Sequence, residues 1–512
     1  MDYLGKNWII LLMLLTYGGF CLAVGWYFKW RASRGVEDYY VAKRNIPGWV
    51  VSLAFFSTFA STNTYIGQAG KAFEAGLSWA WVGVFWTVFC IISWLVLGPR
   101  MRNQTASLKS VTIPDYFDFR YQSSLSTAIR VLSACVILFA TLWYMVGIAK
   151  GCALLLESVL DVPFGYGALL IIALTCAYTV AGGMYSVLWT DAVQGIMMFV
   201  VAIIMVTLPF IYVGGVDELM TRIADVTHPM PSTPSGETGP PMGTGLVTFS
   251  ALVPFAYILG IGLAVGMKQI TEPRCLIRFY SIDNARSMKF AMIWTPIFLG
   301  VSLVAVMGLG ALVHGMATEE EAAYLVDHTD EVVGFMLDKF DNSVVSGICV
   351  AGLFAAGMSS LASVMLIVGT AAVSDIWNVC WRMPPTKIVG RTQIAVVVYC
   401  AIVWLITISQ PESIVELTAF AGAVFAASFF PAIFGGLYLR WGTGQGAFWS
   451  MLIGIAGCII WRFALRFRFP ALTDIHEIIP AFLLSLVAYI AISVATRSRA
   501  PDAKHLNRIF GK

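Results

Sequence analysis

Apolar residues run through this chain in blocks of about twenty, each long enough to cross a bilayer as a helix, separated by short polar segments. By that criterion we count about thirteen spans. They lie near 8–28, 48–70, 77–98, 123–155, 163–182, 190–214, 246–270, 288–314, 343–372, 391–409, 413–438, 445–466 and 478–496. Two of them read as interrupted. The second, VVSLAFFSTFASTNTYIGQAG, carries a polar cluster from Ser57 to Thr64, with Gly67 and Gly70 beyond it. The seventh, LVTFSALVPFAYILGIGLAVG, carries Pro254, Gly260, Gly262 and Gly266. Polar or Gly/Pro-interrupted spans in corresponding positions of two halves point to a transporter site built from discontinuous helices. The alternative is that Gly and Pro are simply frequent in membrane helices. Spans two and seven are five apart, which suits an inverted repeat of five plus five, with the repeats at about 48–214 and 246–438 of a single domain, 1–512.

Within the ninth span the stretch AGLFAAGMSSLAS, Ala351–Ser363, is made of small residues. Positions three and four apart share a helix face, so Ala356, Ser359, Ser360 and Ser363 form an oxygen-bearing stripe. A hard cation such as sodium takes oxygen ligands of this kind. Close helix packing, with each hydroxyl bonded back to a carbonyl one turn earlier, accounts for the same stripe. The residues alone leave both readings open.

Composition narrows the class. Of 512 residues 59% are hydrophobic and 12% charged, against about a quarter charged in soluble domains, so this is a polytopic membrane protein. A net charge of +3 gives no reason to expect nucleic acid. The ten cysteines form no CxxC pair and the five histidines no HxxxH spacing, so neither a metal centre nor a disulfide framework is expected. Basic residues concentrate after the first span and in PRMRNQTASLK, EPRCLIRFYSIDNARSMK, WRMPPTKIVGR and the C-terminal RSRAPDAKHLNRIFGK. With an odd number of spans these all fall on one side, roughly two dozen against half a dozen. That bias predicts an outside N-terminus and a cytoplasmic C-terminus in the inner membrane. The first span is read as retained, and 215–245 as an exposed linker.

Tyr178–Ser186, YTVAGGMYS, followed by VLWTDAVQG, resembles the sodium:solute symporter family, as do FASTNTYIGQAG, RFYSIDNAR, Ala356–Ser363 and SDIW at 374–377. The resemblance covers nearly the whole chain. It implies an all-α leucine-transporter-like core of ten helices, with one extra helix before it and two after. It implies sodium as coupling ion and no organic cofactor. Its sodium ligands would be the carbonyls of Ser57, Ala60 and Ala356 and the hydroxyls of Ser359 and Ser360. A second sodium would use Asp191 and Ser363, although Ala362 stands where some two-sodium members have a hydroxyl. Asp191 reads equally well as a helix-capping acid after the Gly182–Gly183 pair.

For the solute, the resemblance points to Phe59, Ser61, Asn63, Thr64 and Tyr144. Tyr144 stands where sialic acid members carry arginine, the usual carboxylate partner, and Phe59 and Thr64 replace the amide residues of the sugar members. A monocarboxylate, a pantothenate-like acid or an amino acid is therefore expected, taken up with sodium by alternating access. The alternatives are proton coupling, or a membrane sensor of the same fold. No nucleophile–base pair suggests an enzyme, and no protein partner is evident.

Overall fold

A broken helix needs a reason to stop at membrane depth, and the second predicted span has one. In the computed structural model Gly48–Phe59 is helical and Ala60 turns extended (φ −75°, ψ 100°). The chain then restarts through a wide turn over Asn63–Gln68 into the helix Ala69–Ala75. Hydroxyl-bearing side chains offer the backbone local alternatives to helix bonds, and five of the eight residues 57–64 are Ser or Thr.

The structure describes residues 2–226, 242–340, 342–409, 412–466, 468–469, 472 and 475–510. Among them it is helical throughout, and the extended pairing it has is an isolated bridge between Ile46 and Ile282. Ten of these helices are long and apolar enough to cross a membrane. One, Phe164–Val213, folds at Gly183 (φ +53°) into two limbs that correspond to predicted spans five and six. A side chain at Gly183 would strike Tyr39, whose ring carbon lies 2.8 Å from the ideal Cβ position. The small-residue helix, Ser343–Thr370, runs through the middle: every residue of its most apolar stretch is buried in protein.

The seventh span breaks elsewhere than the Gly/Pro pattern suggested. Pro254 precedes the helix Phe255–Thr271 and starts it, and Gly260, Gly262 and Gly266 lie inside it unbroken. Two of these glycines serve close packing: their Cβ positions lie 2.7 Å from the Phe85 ring and 2.4 Å from the Phe89 ring. The interruption comes at Glu272 (ψ 126°), which Pro273 holds extended while opening a second helix, Pro273–Ser281. The segment read as a cytoplasmic loop, EPRCLIRFYS, is therefore a buried helix, and Arg274 and Arg278 are 1% and 0% exposed.

The remaining basic segments gather at one end. Arg44 bonds the Ser110 carbonyl at 2.7 Å, Arg102 the Asp283 carbonyl at 2.8 Å and Arg508 the Ser107 carbonyl at 2.9 Å. The other end carries acid–base pairs: Lys150–Asp330 at 3.0 Å, Lys339–Glu321 at 2.7 Å and Arg462–Glu477 at 3.1 Å. Of the predicted linker 215–245, Val216–Ala224 is a helix, and the run 227–241 lies outside the described residues.

Glycine lets the long helix Ala285–Val313 lie directly on the first broken helix. A Cβ at Gly310 would stand 2.0 Å from the Ala69 carbonyl oxygen, so Gly310→Ala must push backbone apart. It is expected to cost about 1–3 kcal/mol, read as a lower unfolding temperature in detergent. Gly390→Ala, which meets nothing within 4 Å, is the control and should leave that temperature in place.

Candidate ion and solute site

Breaking a helix frees carbonyls that would otherwise accept bonds from the next turn, and here the freed carbonyls meet the serine stripe. Ser359 Oγ donates to the Ser57 carbonyl at 2.8 Å and lies 3.2 Å from the Ala356 carbonyl. Ser360 Oγ donates to the Thr58 carbonyl at 2.9 Å. Ser57, Ala60, Ala356, Ser359 and Ser360 are all fully buried. Three of these five predicted positions, Ser57, Ala356 and Ser359, thus meet through direct contacts, and Ser360 joins the same break through Thr58. Ala60, at the break itself, bonds back through its N–H to the Phe56 carbonyl at 2.9 Å.

Asp191 is not a cap. It lies within the helical limb that follows the Gly183 kink, and its carboxylate is drawn into the site. Its Oδ2 accepts from Thr58 at 3.0 Å, from Ser363 at 3.1 Å and from Arg278 Nη2 at 2.6 Å. The same Arg278 nitrogen donates to Ser363 at 2.6 Å and to the Thr58 hydroxyl. A guanidinium therefore sits among the oxygens expected for a second sodium.

The positions expected to hold solute do not all face one space. Phe59 packs edge-on against Trp86, ring centres 5.5 Å apart. The Asn63 side-chain oxygen accepts from Gln68 at 3.3 Å, and Gln68 in turn accepts from Trp79 at 2.8 Å. The Thr64 hydroxyl is buried without a hydrogen-bond partner. The Tyr144 hydroxyl is buried near Ser61 and Ser360 without a hydrogen-bond partner, and the ring faces two cations. Lys268 Nζ is 3.5 Å and Arg274 Cζ 4.1 Å from the ring centre.

Lys268, Glu272, Arg274 and Arg278 were missed in the sequence because the second break was placed a turn or more too early. Their signal was there: ionisable residues at the end of an apolar run mark function by default. Glu272 pairs with Arg274 at 2.7 Å and stands 3.7 Å from Lys268, and Arg274 Nη1 donates to the Thr58 carbonyl at 2.6 Å. Both helix breaks, the serine stripe and Tyr144 are joined through these contacts.

The sodium:solute symporter family pattern matches residues 39–454. The chain belongs to that family. The osmoregulated proline transporter OpuE of Bacillus subtilis is 28% identical over 511 residues, covering 98% of this chain and 97% of that protein. The sodium/proline symporter of Escherichia coli is 26% identical over 489 residues, covering 93% and 91%. A solved structure of a substrate-bound, outward-open Na+-coupled sialic acid symporter superimposes with a TM-score of 0.75 at 17% identity, covering 95% of this chain and 98% of that one. The shared fold is the leucine-transporter-like one expected from the sequence. This symporter is a multi-pass protein of the cytoplasmic membrane that takes up a small organic solute with sodium, and its family is one of transporters, not enzymes.

Arg278 and Asp191 are both fully buried, so each depends on the other for charge compensation. Asp191→Asn is expected to cost about 3–5 kcal/mol of stability, because it leaves a buried guanidinium unpaired. The double variant Asp191→Asn/Arg278→Gln should recover most of that loss. Thermal unfolding of the wild type, both single variants (Asp191→Asn and Arg278→Gln) and the double variant reads the coupling; additive effects would contradict the pairing.

Proposed function

We infer that this symporter couples one sodium ion to the uptake of a solute bearing a carboxylate: an amino acid, a monocarboxylate or a pantothenate-like acid. What supports the ion site is the meeting of the Ser57 carbonyl, the Ala356 carbonyl and the Ser359 hydroxyl within 3.2 Å. In this reading Ala60 and Ser360 complete the ligand set. Neutral oxygens balance a monovalent ion without trapping it, because binding must stay weak enough for release. A second sodium at Asp191 and Ser363 requires Arg278 to withdraw first.

The solute reading draws on the relatives, which carry proline, and on the cations beside Tyr144. Its site is the space between the two breaks, with Ser61, Thr64 and Tyr144 in contact. Phe59 and Asn63 shape that space from behind, through their packing on Trp86 and Gln68. The N-terminus lies outside and the C-terminus in the cytoplasm, in keeping with the end at which Arg44, Arg102 and Arg508 gather. Residues 48–214 and 246–438 form the two repeats. Alternating access follows from rocking one repeat against the other about the two breaks.

Uptake of labelled proline, pyruvate, acetate and pantothenate into proteoliposomes, with and without an inward sodium gradient, tests the reading. Sodium-dependent accumulation of one of them is the expected result. Ser359→Ala removes a hydroxyl ligand and should raise the sodium concentration for half-maximal uptake roughly tenfold, the scale of one lost bond to a charged partner. An unchanged sodium dependence would refute the assignment of Ser359.

A further inference from the structure

Three of the ionisable groups at the second helix break do not balance. With Lys268 protonated, Lys268 and Arg274 bring two positive charges and Glu272 one negative, leaving one positive charge in excess. All three side chains are about 1% exposed. The neighbouring Asp191–Arg278 pair is already neutral by itself.

The two cations are not equivalent. Arg274 is the more closely held: its Nε lies 2.7 Å from Glu272 as an ion pair, and its Nη1 donates to the Thr58 carbonyl at 2.6 Å. Lys268 stands 3.7 Å from Glu272, an ion-pair distance too long for a hydrogen bond. Its stem passes Gly422, where a Cβ would lie 3.5 Å from Lys268 Cδ and 3.0 Å from the Ala264 carbonyl. That passage delivers the ammonium to the face of Tyr144, whose hydroxyl is buried near Ser61 and Ser360. A buried charge is stable only when paired and hydrogen-bonded, and the three donors of an ammonium lack a carboxylate at bonding distance.

We propose that Lys268 anchors the carboxylate of the solute, and that the charge excess it creates selects a solute of net charge minus one over a zwitterion. The proposal rests on the solute site lying between the two breaks. A small monocarboxylate bound there neutralises the cluster. An amino acid such as proline brings a carboxylate but also its own ammonium, and leaves the excess in place.

The test is sodium-dependent thermal stabilisation of the purified symporter by acetate, propionate, pyruvate and lactate, against proline and alanine. Proteoliposome uptake of whichever solute stabilises it most follows. A monoanion should stabilise the wild type at concentrations at least tenfold below either zwitterion. Lys268→Met should raise the KM for that monoanion tenfold or more, while stabilisation by sodium alone persists, and Lys268→Arg should restore most of the affinity. Preference for proline or alanine in the wild type overturns the proposal, as does a Lys268→Met protein with unchanged KM; sodium coupling survives either result. If sodium neither stabilises the protein nor drives uptake of any probe, the proposed ion site falls as well.

Discussion

Backbone carbonyls and N–H groups released inside a bilayer have no water to turn to, and the helix break at Ala60 releases them at the centre of this protein. The carbonyls of Ser57 and Thr58 are met by Ser359, Ser360 and Arg274. Those partners require a helix that comes close, and a helix comes close only if its facing residues are small. The small-residue composition of Ser343–Thr370 and the burial of its stretch from Cys349 to Thr370 follow from that requirement. So does the second break, because Arg274 reaches the Thr58 carbonyl only from a helix that restarts at Pro273.

Much of this was readable from residues. The hydroxyl cluster of 57–64 and the serine stripe sit on separate helices three hundred residues apart, yet each is anomalous in an apolar run, and the two satisfy each other. The Gly and Pro residues of the seventh span misled for a physical reason. In a membrane helix Gly262 and Gly266 make room for phenylalanine rings, and Pro254 is harmless at a helix start, so neither breaks anything. The true break needed an extended residue before a proline, Glu272–Pro273. Its charges made the following ten residues look like a loop. Asp191 was likewise legible as an acid of interest, but not its partner: Arg278 is distant in sequence and its pairing depends on how the second broken helix is folded back.

The proposed site joins two kinds of group that differ in charge. Around the serine stripe the groups are neutral oxygens, which in the proposed reading suit an ion that must arrive and leave. Around Tyr144 they are full charges, suited to fixing the orientation of a carboxylate. Tyr144 touches both, with its hydroxyl near Ser360 and its ring beneath Lys268 and Arg274. If the proposed ion and solute sites hold, filling one bears on the geometry of the other, and Tyr144 is where the two would be coupled. The relatives named as proline transporters are 25–28% identical to this chain, a distance at which the charges lining a site can differ within one family.

Equilibrium binding of radiolabelled sodium to the purified protein is the most direct test of the account, with potassium and proton competition measured alongside. Saturable binding of one sodium per chain, indifferent to potassium and to pH across the neutral range, is the predicted result. Absence of saturable binding, or binding displaced by protons, would contradict it and return the serine stripe to a role in helix packing.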